Sequence, residues 1–270
     1  MEKMNVVDLP PVARTLLVPL TCRARESARP DALIHDPRAL ELFTHLEGGL
    51  DCLMGMSDLD QTFTVMRVRQ FDSYARAFLA VNPQGLVVDI GCGLDTHFDR
   101  LDNGEMTWLG FDLPEVIDLR HRFLPDGERC RSLAHSMFDL TWLDTVAQMN
   151  KPIIFMAEGV FPYFTKAEIK PVVTTLAGRF HGGELVFDAL SSFSASLHNR
   201  AHPVLKKTGT RINWGVDDPH ELESWGLRLL NKWGYFDKHE PRLGMANLMR
   251  YIPPLAYSNY ILHYRLGENE

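Results

Sequence analysis

The chain has little cysteine, no surplus of basic charge and no long apolar run, and each scarcity narrows what it can be. Its four cysteines, Cys22, Cys52, Cys92 and Cys130, stand 30 to 40 residues apart with no C-x-x-C pair among them. That spacing supports neither a zinc site nor a thiol redox motif, and no metal is expected. No apolar stretch approaches the ~18 residues of a membrane span. The opening MEKMNVVDLP lacks the cationic-then-apolar pattern of a secretory signal. We therefore expect a reduced, cytoplasmic setting and no membrane partner. With 28 Lys and Arg against 35 Asp and Glu the formal charge is −7, which argues against a nucleic-acid groove. Repeats, low-complexity tracts and clear linkers are missing too.

What is present is an ordinary globular composition, 45% hydrophobic and 23% charged over 270 residues, enough for one domain with a large core. The chain is organised around residues 86–96, LVVDIGCGLDT. A short apolar run that stops at glycines reads as a central parallel strand buried on both faces. Gly91 and Gly93 let the backbone turn sharply and approach a ligand. In doubly wound sheets such a turn is where nucleotides bind.

Two cofactor classes use this turn. A dinucleotide site wants a third glycine and a phosphate-tolerant helix start; here Thr96 holds that position and Asp95 would stand beside a diphosphate. Acids before and after a turn of small residues suit a cofactor without phosphates, such as S-adenosylmethionine, which carries an ammonium, a sulfonium, a ribose diol and an adenine. A second acid, Asp112, ends the apolar run MTWLGFD nineteen residues beyond Gly93. An acid about 20 residues on, at the tip of the neighbouring strand, can accept both ribose hydroxyls. Asp112-Leu113-Pro114 also reads as a helix start, with Asp112 as the cap.

Three segments together, VVDIGCGLDT, FDLPEVIDLR (residues 111–120) and MAEGVFPYFTKAEI (residues 156–169), resemble the successive motifs of the leucine carboxyl methyltransferases and their bacterial relatives, the tetracenomycin-type polyketide O-methyltransferases. The resemblance runs from about residue 23 to 188. It implies a class I S-adenosylmethionine methyltransferase fold: a Rossmann-like, doubly wound, mostly parallel seven-stranded sheet with a helical N-terminal region and a lid insertion. It also implies a cofactor site made by Asp89, Gly91, Cys92, Gly93, Asp112 and Leu113. Arg67, in RVRQFDSYARAFL, falls where the family grips the methionyl carboxylate, and Arg25 falls where relatives carry a second basic residue. Asp139-Leu140 matches the Asp-Leu that reads adenine, with an N-cap role for Asp139 as the alternative. Glu158-Gly159 and Tyr163 fall near the donor methyl. The family often carries Arg where this chain has His97.

In chain order we expect a helical cap over residues 1–82, broken by Gly48-Gly49 and Gly55 before a helix over residues 58–81. A cofactor core over 83–188 follows, then a lid insertion over 189–218. Residues 219–270 close the domain: a helix from Asp217-Asp218-Pro219 carrying Leu222, Trp225, Leu227, Leu229, Leu230 and Trp233, then strands at Tyr235-Phe236-Asp237 and residues 260–266.

The acceptor is expected to be a small molecule, since the chain shows no long extension after its closing strands; a homo-oligomer is open. An acceptor carboxylate, ionised at pH 7, needs no base. A phenol or enol would use one, for which Tyr163, His198 and His202 are candidates. No compelling base constellation stands out, which leans towards a carboxylate. Two other classes stay open: a non-catalytic, regulatory relative that binds S-adenosylmethionine, and an NAD-dependent oxidoreductase, against which Asp95 argues.

Overall fold

The structure, a computed structural model, describes residues 4–5, 11–47, 57–202, 205–206 and 209–267. The expected breaks at Gly48-Gly49 and Gly55, and Cys52, lie outside them. Seven strands form one sheet: β1 (Leu86–Ile90), β2 (Thr107–Asp112), β3 (Cys130–Ala134), β4 (Ile153–Ala157), β5 (Glu184–Leu190), β6 (Leu227–Gly234) and β7 (Asn259–Leu266), in the order β3-β2-β1-β4-β5-β7-β6. The first five run parallel. β7 pairs antiparallel with both β5 and β6. β1 is buried at every position because β2 and β4 flank it and helices cover both faces.

The two-residue period of the strands sorts the core into two layers. Leu86, Val88, Ile90, Phe155 and Ala157 face one side with Phe161, Leu176, Phe187 and Tyr264. Val87, Ile154 and Met156 face the other with Phe71, Phe78, Trp108 and Ile261. The first side receives α6 (Trp142–Gln148) and α7 (Lys166–Arg179), whose buried faces join that cluster. The second receives α3 (Asp58–Val81), started by a reciprocal cap between Ser57 and Asp60. α1 (Pro11–Ser27) and α2 (Pro37–Thr44) pack over Leu94 and the end of α5 (Pro114–Phe123). Asp36 caps α2 by accepting from Ala39 N–H at 2.8 Å. α4 (His97–Leu101) follows the glycine turn directly.

Two expectations need correction. Residues 227–234 are strand β6 and not the continuation of a helix: Gly226 adopts φ +83°, ending a short 3-10 turn at Pro219–Trp225. A β-bulge between Leu229 and Asn231 breaks the alternation of β6, which lets a helical spacing show through in its sequence. The closing pair is thus β6 with β7, and Tyr235-Phe236-Asp237 lies in the turn beyond β6. The expected lid stretch is also part helix, α8 (Ser192–Ala201), started by Ser191. No helix among the described residues is long and apolar enough to cross a membrane.

Gly110, in the middle of β2, has no room for a side chain. A Cβ there would stand 2.2 Å from the Trp108 ring and 2.8 Å from Cys92 Cβ. Gly110→Ala should therefore displace Trp108 and cost about 1–3 kcal/mol, read as a lower thermal unfolding midpoint. An unchanged midpoint would show that the ring is free to move.

Candidate active site

The strand order reverses between β1 and β4, so the loops leaving their C-terminal ends diverge and open a crevice. A cavity of about 900 Å³ fills it. Its floor is the glycine turn, where Gly91 and Gly93 take φ +72° and +47°. A Cβ on Gly93 would stand 2.9 Å from Leu16 of α1. Arg120 of α5 fixes the turn by donating to the Gly93 and Asp95 carbonyls at 3.0 and 2.6 Å.

Asp112 lines the cavity from the tip of β2. It accepts from Gly93 N–H at 2.9 Å and from Leu113 N–H at 2.7 Å. Burial pushes its carboxyl up, and these two donors work against that. It makes no cap for α5, which settles the alternative reading of this residue. Asp89 faces the other layer, accepting from Trp108 Nε1–H at 2.8 Å. Cys92 lines the wall with its thiol pushed up by burial, the opposite of an activated nucleophile.

Across the crevice, Arg67 of α3 reaches Glu158 at the end of β4, with Nε 3.0 Å from Oε1. Its Nη1 lies 3.5 Å from Asp188 Oδ2. Asp188 also accepts from Gly159 N–H at 2.6 Å. Burial opposes the Arg67 charge, but Glu158 and Asp188 hold the guanidinium protonated. Burial likewise pushes the Glu158 carboxyl up, with Arg67 pulling it down.

Below these lies a buried ion network. Arg23 meets Asp36 and Asp95, each at 2.9 Å. Arg100 meets Asp36 at 2.8, Asp72 at 2.9 and Asp95 at 3.2 Å. His97 Nδ1 lies 2.8 Å from Asp89 Oδ2 and 3.0 Å from Asp95 Oδ1. Donor atoms of Asp89, Asp95 and His97 converge within 4.8 Å, but Arg23 and Arg100 already neutralise Asp95. Burial raises the Asp95 carboxyl, and Arg100, Arg23 and His97 together carry it well below its ordinary value.

Three expected site residues are not brought here. Arg25 is exposed and lies outside the cavity lining; two residues along a helix turn a side chain to the far face, so Arg23 takes the inward position. Asp139 is exposed and spends its carboxylate on Thr141, whose N–H and hydroxyl donate to it at 3.2 and 2.7 Å. Nor is Asp139 the cap of α6, a position held by Thr141. Leu140 packs against the core of the sheet. That loop instead offers the cavity His135, Ser136, Met137 and Phe138. Tyr163, in the 3-10 turn Phe161–Tyr163, and His198 and His202 of the lid stretch all line the cavity. His198 Nδ1 lies 2.9 Å from the Ser194 carbonyl.

The leucine carboxyl methyltransferase profile matches residues 17–177, more than half of the sequence. The chain belongs to this family. It is also 30% identical to tetracenomycin polyketide synthesis O-methyltransferase TcmP of Streptomyces glaucescens, over 96% of this chain and 98% of that one. A second relative, the S-adenosyl-L-methionine-dependent methyltransferase dpfgK of Gibberella zeae, is 28% identical over 81% of this chain and 80% of its own. A structure from Thermobifida fusca YX superposes with TM-score 0.59 at 14% identity, covering 92% of this chain and 94% of that one. A DUF574-family protein from Streptomyces avermitilis superposes with TM-score 0.58 at 14% identity, covering 91% and 97%. Those two show the fold alone, the class I methyltransferase sheet. As a family member the chain is an S-adenosylmethionine-dependent methyltransferase.

The geometry sets Arg25 outside the cavity that Asp112 and Arg67 line. Arg25→Ala should leave calorimetric affinity for S-adenosylhomocysteine within about twofold. Asp112→Ala, which removes a charged acceptor, should weaken it at least about tenfold. The reverse ranking would contradict the placement.

Proposed function

We propose that this chain transfers a methyl group to the carboxylate oxygen of a small, largely apolar molecule. The residues present suit the cofactor. Asp112 accepts one backbone N–H on each oxygen and keeps acceptor capacity for a ribose diol. Glu158 Oε2 is buried without a partner, which suits an ammonium. Arg67 keeps Nη2 for a carboxylate, beside Gly159, where a Cβ would stand 3.4 Å from that nitrogen. Bound there, S-adenosylmethionine supplies a methyl already activated on a sulfonium. What remains for the protein is alignment and exclusion of water, of which positioning alone is worth on the order of 7–11 kcal/mol.

The acceptor reading rests on the character of the lid. Phe63, Phe138, Phe164, Leu197, Ile212 and Phe236 make the cavity wall apolar and aromatic. In sequence the lid stretch, residues 189–218, carries Arg200, Lys206, Lys207 and Arg211, with His198 and His202, against Asp217 and Asp218, a net basic segment in a chain of net charge −7. Such a segment draws an anion towards an apolar pocket. A carboxylate also arrives deprotonated, so no base is called for. The name of the Streptomyces glaucescens relative, a polyketide-synthesis O-methyltransferase, supports a small-molecule acceptor.

One observation favours a second reading, a hydroxyl acceptor. With a hydrogen on Nδ1 donated to the Ser194 carbonyl, 2.9 Å away, His198 would offer Nε2 as a proton acceptor. Assays on an aromatic carboxylic acid and a phenol of the same skeleton separate the two. We expect methyl ester from the acid, with kcat reduced less than about threefold in His198→Ala. Turnover of the phenol alone, with a loss of about 10²-fold or more in His198→Ala, would overturn the carboxylate reading in favour of the hydroxyl.

A further inference from the structure

His97 opens α4 directly after the turn and is 1% exposed. Its Nδ1 stands within hydrogen-bond distance of both Asp89 and Asp95, so Nδ1 carries a hydrogen. Across the ring, Nε2 is buried without a partner, and so is Glu158 Oε2; the two are 3.6 Å apart. Asp72 Oδ1 stands 3.7 Å from the same nitrogen. A lone pair on Nε2 would face two carboxylates and be repelled by both. A second hydrogen removes that conflict and makes the ring an imidazolium.

We propose that His97 is a positioning residue: anchored to the glycine turn through Nδ1, it presents Nε2–H to Glu158 and so sets the carboxylate that faces the cofactor. This rests on Glu158 serving the cofactor and is independent of the acceptor. The 3.6 Å gap exceeds a hydrogen bond by less than 1 Å, and contacts of this kind in catalytic sites draw in when the site is loaded. His97 thereby ties the turn after β1 to the tip of β4, and through Glu158 to Arg67 on α3.

The charged groups around the ring come from every element packed on it: Asp72 from α3, Asp89 from β1, Asp95 from the turn and Glu158 from β4. Arg100, from α4 itself, neutralises Asp72 and Asp95. Burial works against the imidazolium, and Asp89 and Asp95 outweigh it, holding the proton well above the usual histidine range. A raised value means that the arm is in place at neutral pH and is lost as pH rises through it. Cofactor affinity that depends on the arm should fall on the alkaline side.

Calorimetric titration with S-adenosylhomocysteine tests this in the wild type, His97→Asn, Glu158→Gln and the double variant. Asparagine keeps a short donor near Asp89 and Asp95 but cannot reach Glu158. We expect His97→Asn to weaken binding about tenfold, Glu158→Gln to weaken it also, and the double variant to bind no more weakly than Glu158→Gln. As pH rises on the alkaline side, wild-type affinity should fall more steeply than that of His97→Asn, the decline shared by both reporting loss of the ligand's own ammonium proton. Binding by His97→Asn within twofold of wild type, or full additivity in the double variant, overturns the inference. Unchanged affinity in Glu158→Gln instead overturns the assignment of Glu158 to the cofactor. The wild type offers a check that needs no variant: the His97 Nε2 nitrogen resonance should shift on addition of S-adenosylhomocysteine, and an unmoved resonance overturns the inference.

Discussion

A buried charge must be matched or it costs several kcal/mol, and the end of β1 buries many at once. Arg23, Arg100 and His97 share Asp36, Asp72, Asp89 and Asp95, all but Asp95 almost wholly inaccessible to water. The partners come from α1, the cap of α2, α3, β1, the turn and α4. None of these charges is tolerable until the helices have docked on the sheet, so the N-terminal helices and the cofactor turn are fixed together. Such a network is weak evidence for net stability. Its effect is to hold a flexible glycine turn in one shape beside Glu158, whose Oε2 is buried without a hydrogen-bond partner.

The same arrangement divides the cavity. The cofactor end is built from strand tips and charges locked by pairing, which are rigid positions for a fixed ligand. The other end of the cavity, where the proposed acceptor would sit, is lined by the stretch after β5, with α8 and its neighbours supplying apolar side chains and the histidines His198 and His202. The fold is that of the family, and a fold does not define the acceptor. The proposal of an anionic, hydrophobic acceptor rests on an apolar cavity wall beside a segment with more basic than acidic side chains.

The parts legible in the sequence were those with local signatures. β1 shows because a strand buried on both faces must be apolar throughout, and Gly91 and Gly93 because only glycine takes that turn without strain. Asp112 follows from spacing along two adjacent strands, and Arg67 from the family motif. Arg25 and Asp139 failed for a shared reason: motif position does not say which face of a helix or loop turns inward, and Arg23 and the loop from His135 to Phe138 took those places. β6 was misread because its bulge hides the two-residue alternation. Asp188 and His97 gave no signal of their role. Asp188 is an acid at the end of the strand beside Glu158, and strand-tip position could have pointed to it. Its partner Arg67 is 121 residues away, and His97 matters through four acids from four separate elements, a pairing that exists only once the chain has folded.

The most direct measurement is calorimetric titration of the purified wild-type protein with S-adenosylhomocysteine, with NADH as the control. The account predicts micromolar binding of the first at one site per chain and no heat from the second. Binding of NADH, or of neither, would mean that the turn after β1 and the acids around it are scaffold, and would contradict the assignment of the cavity to this cofactor.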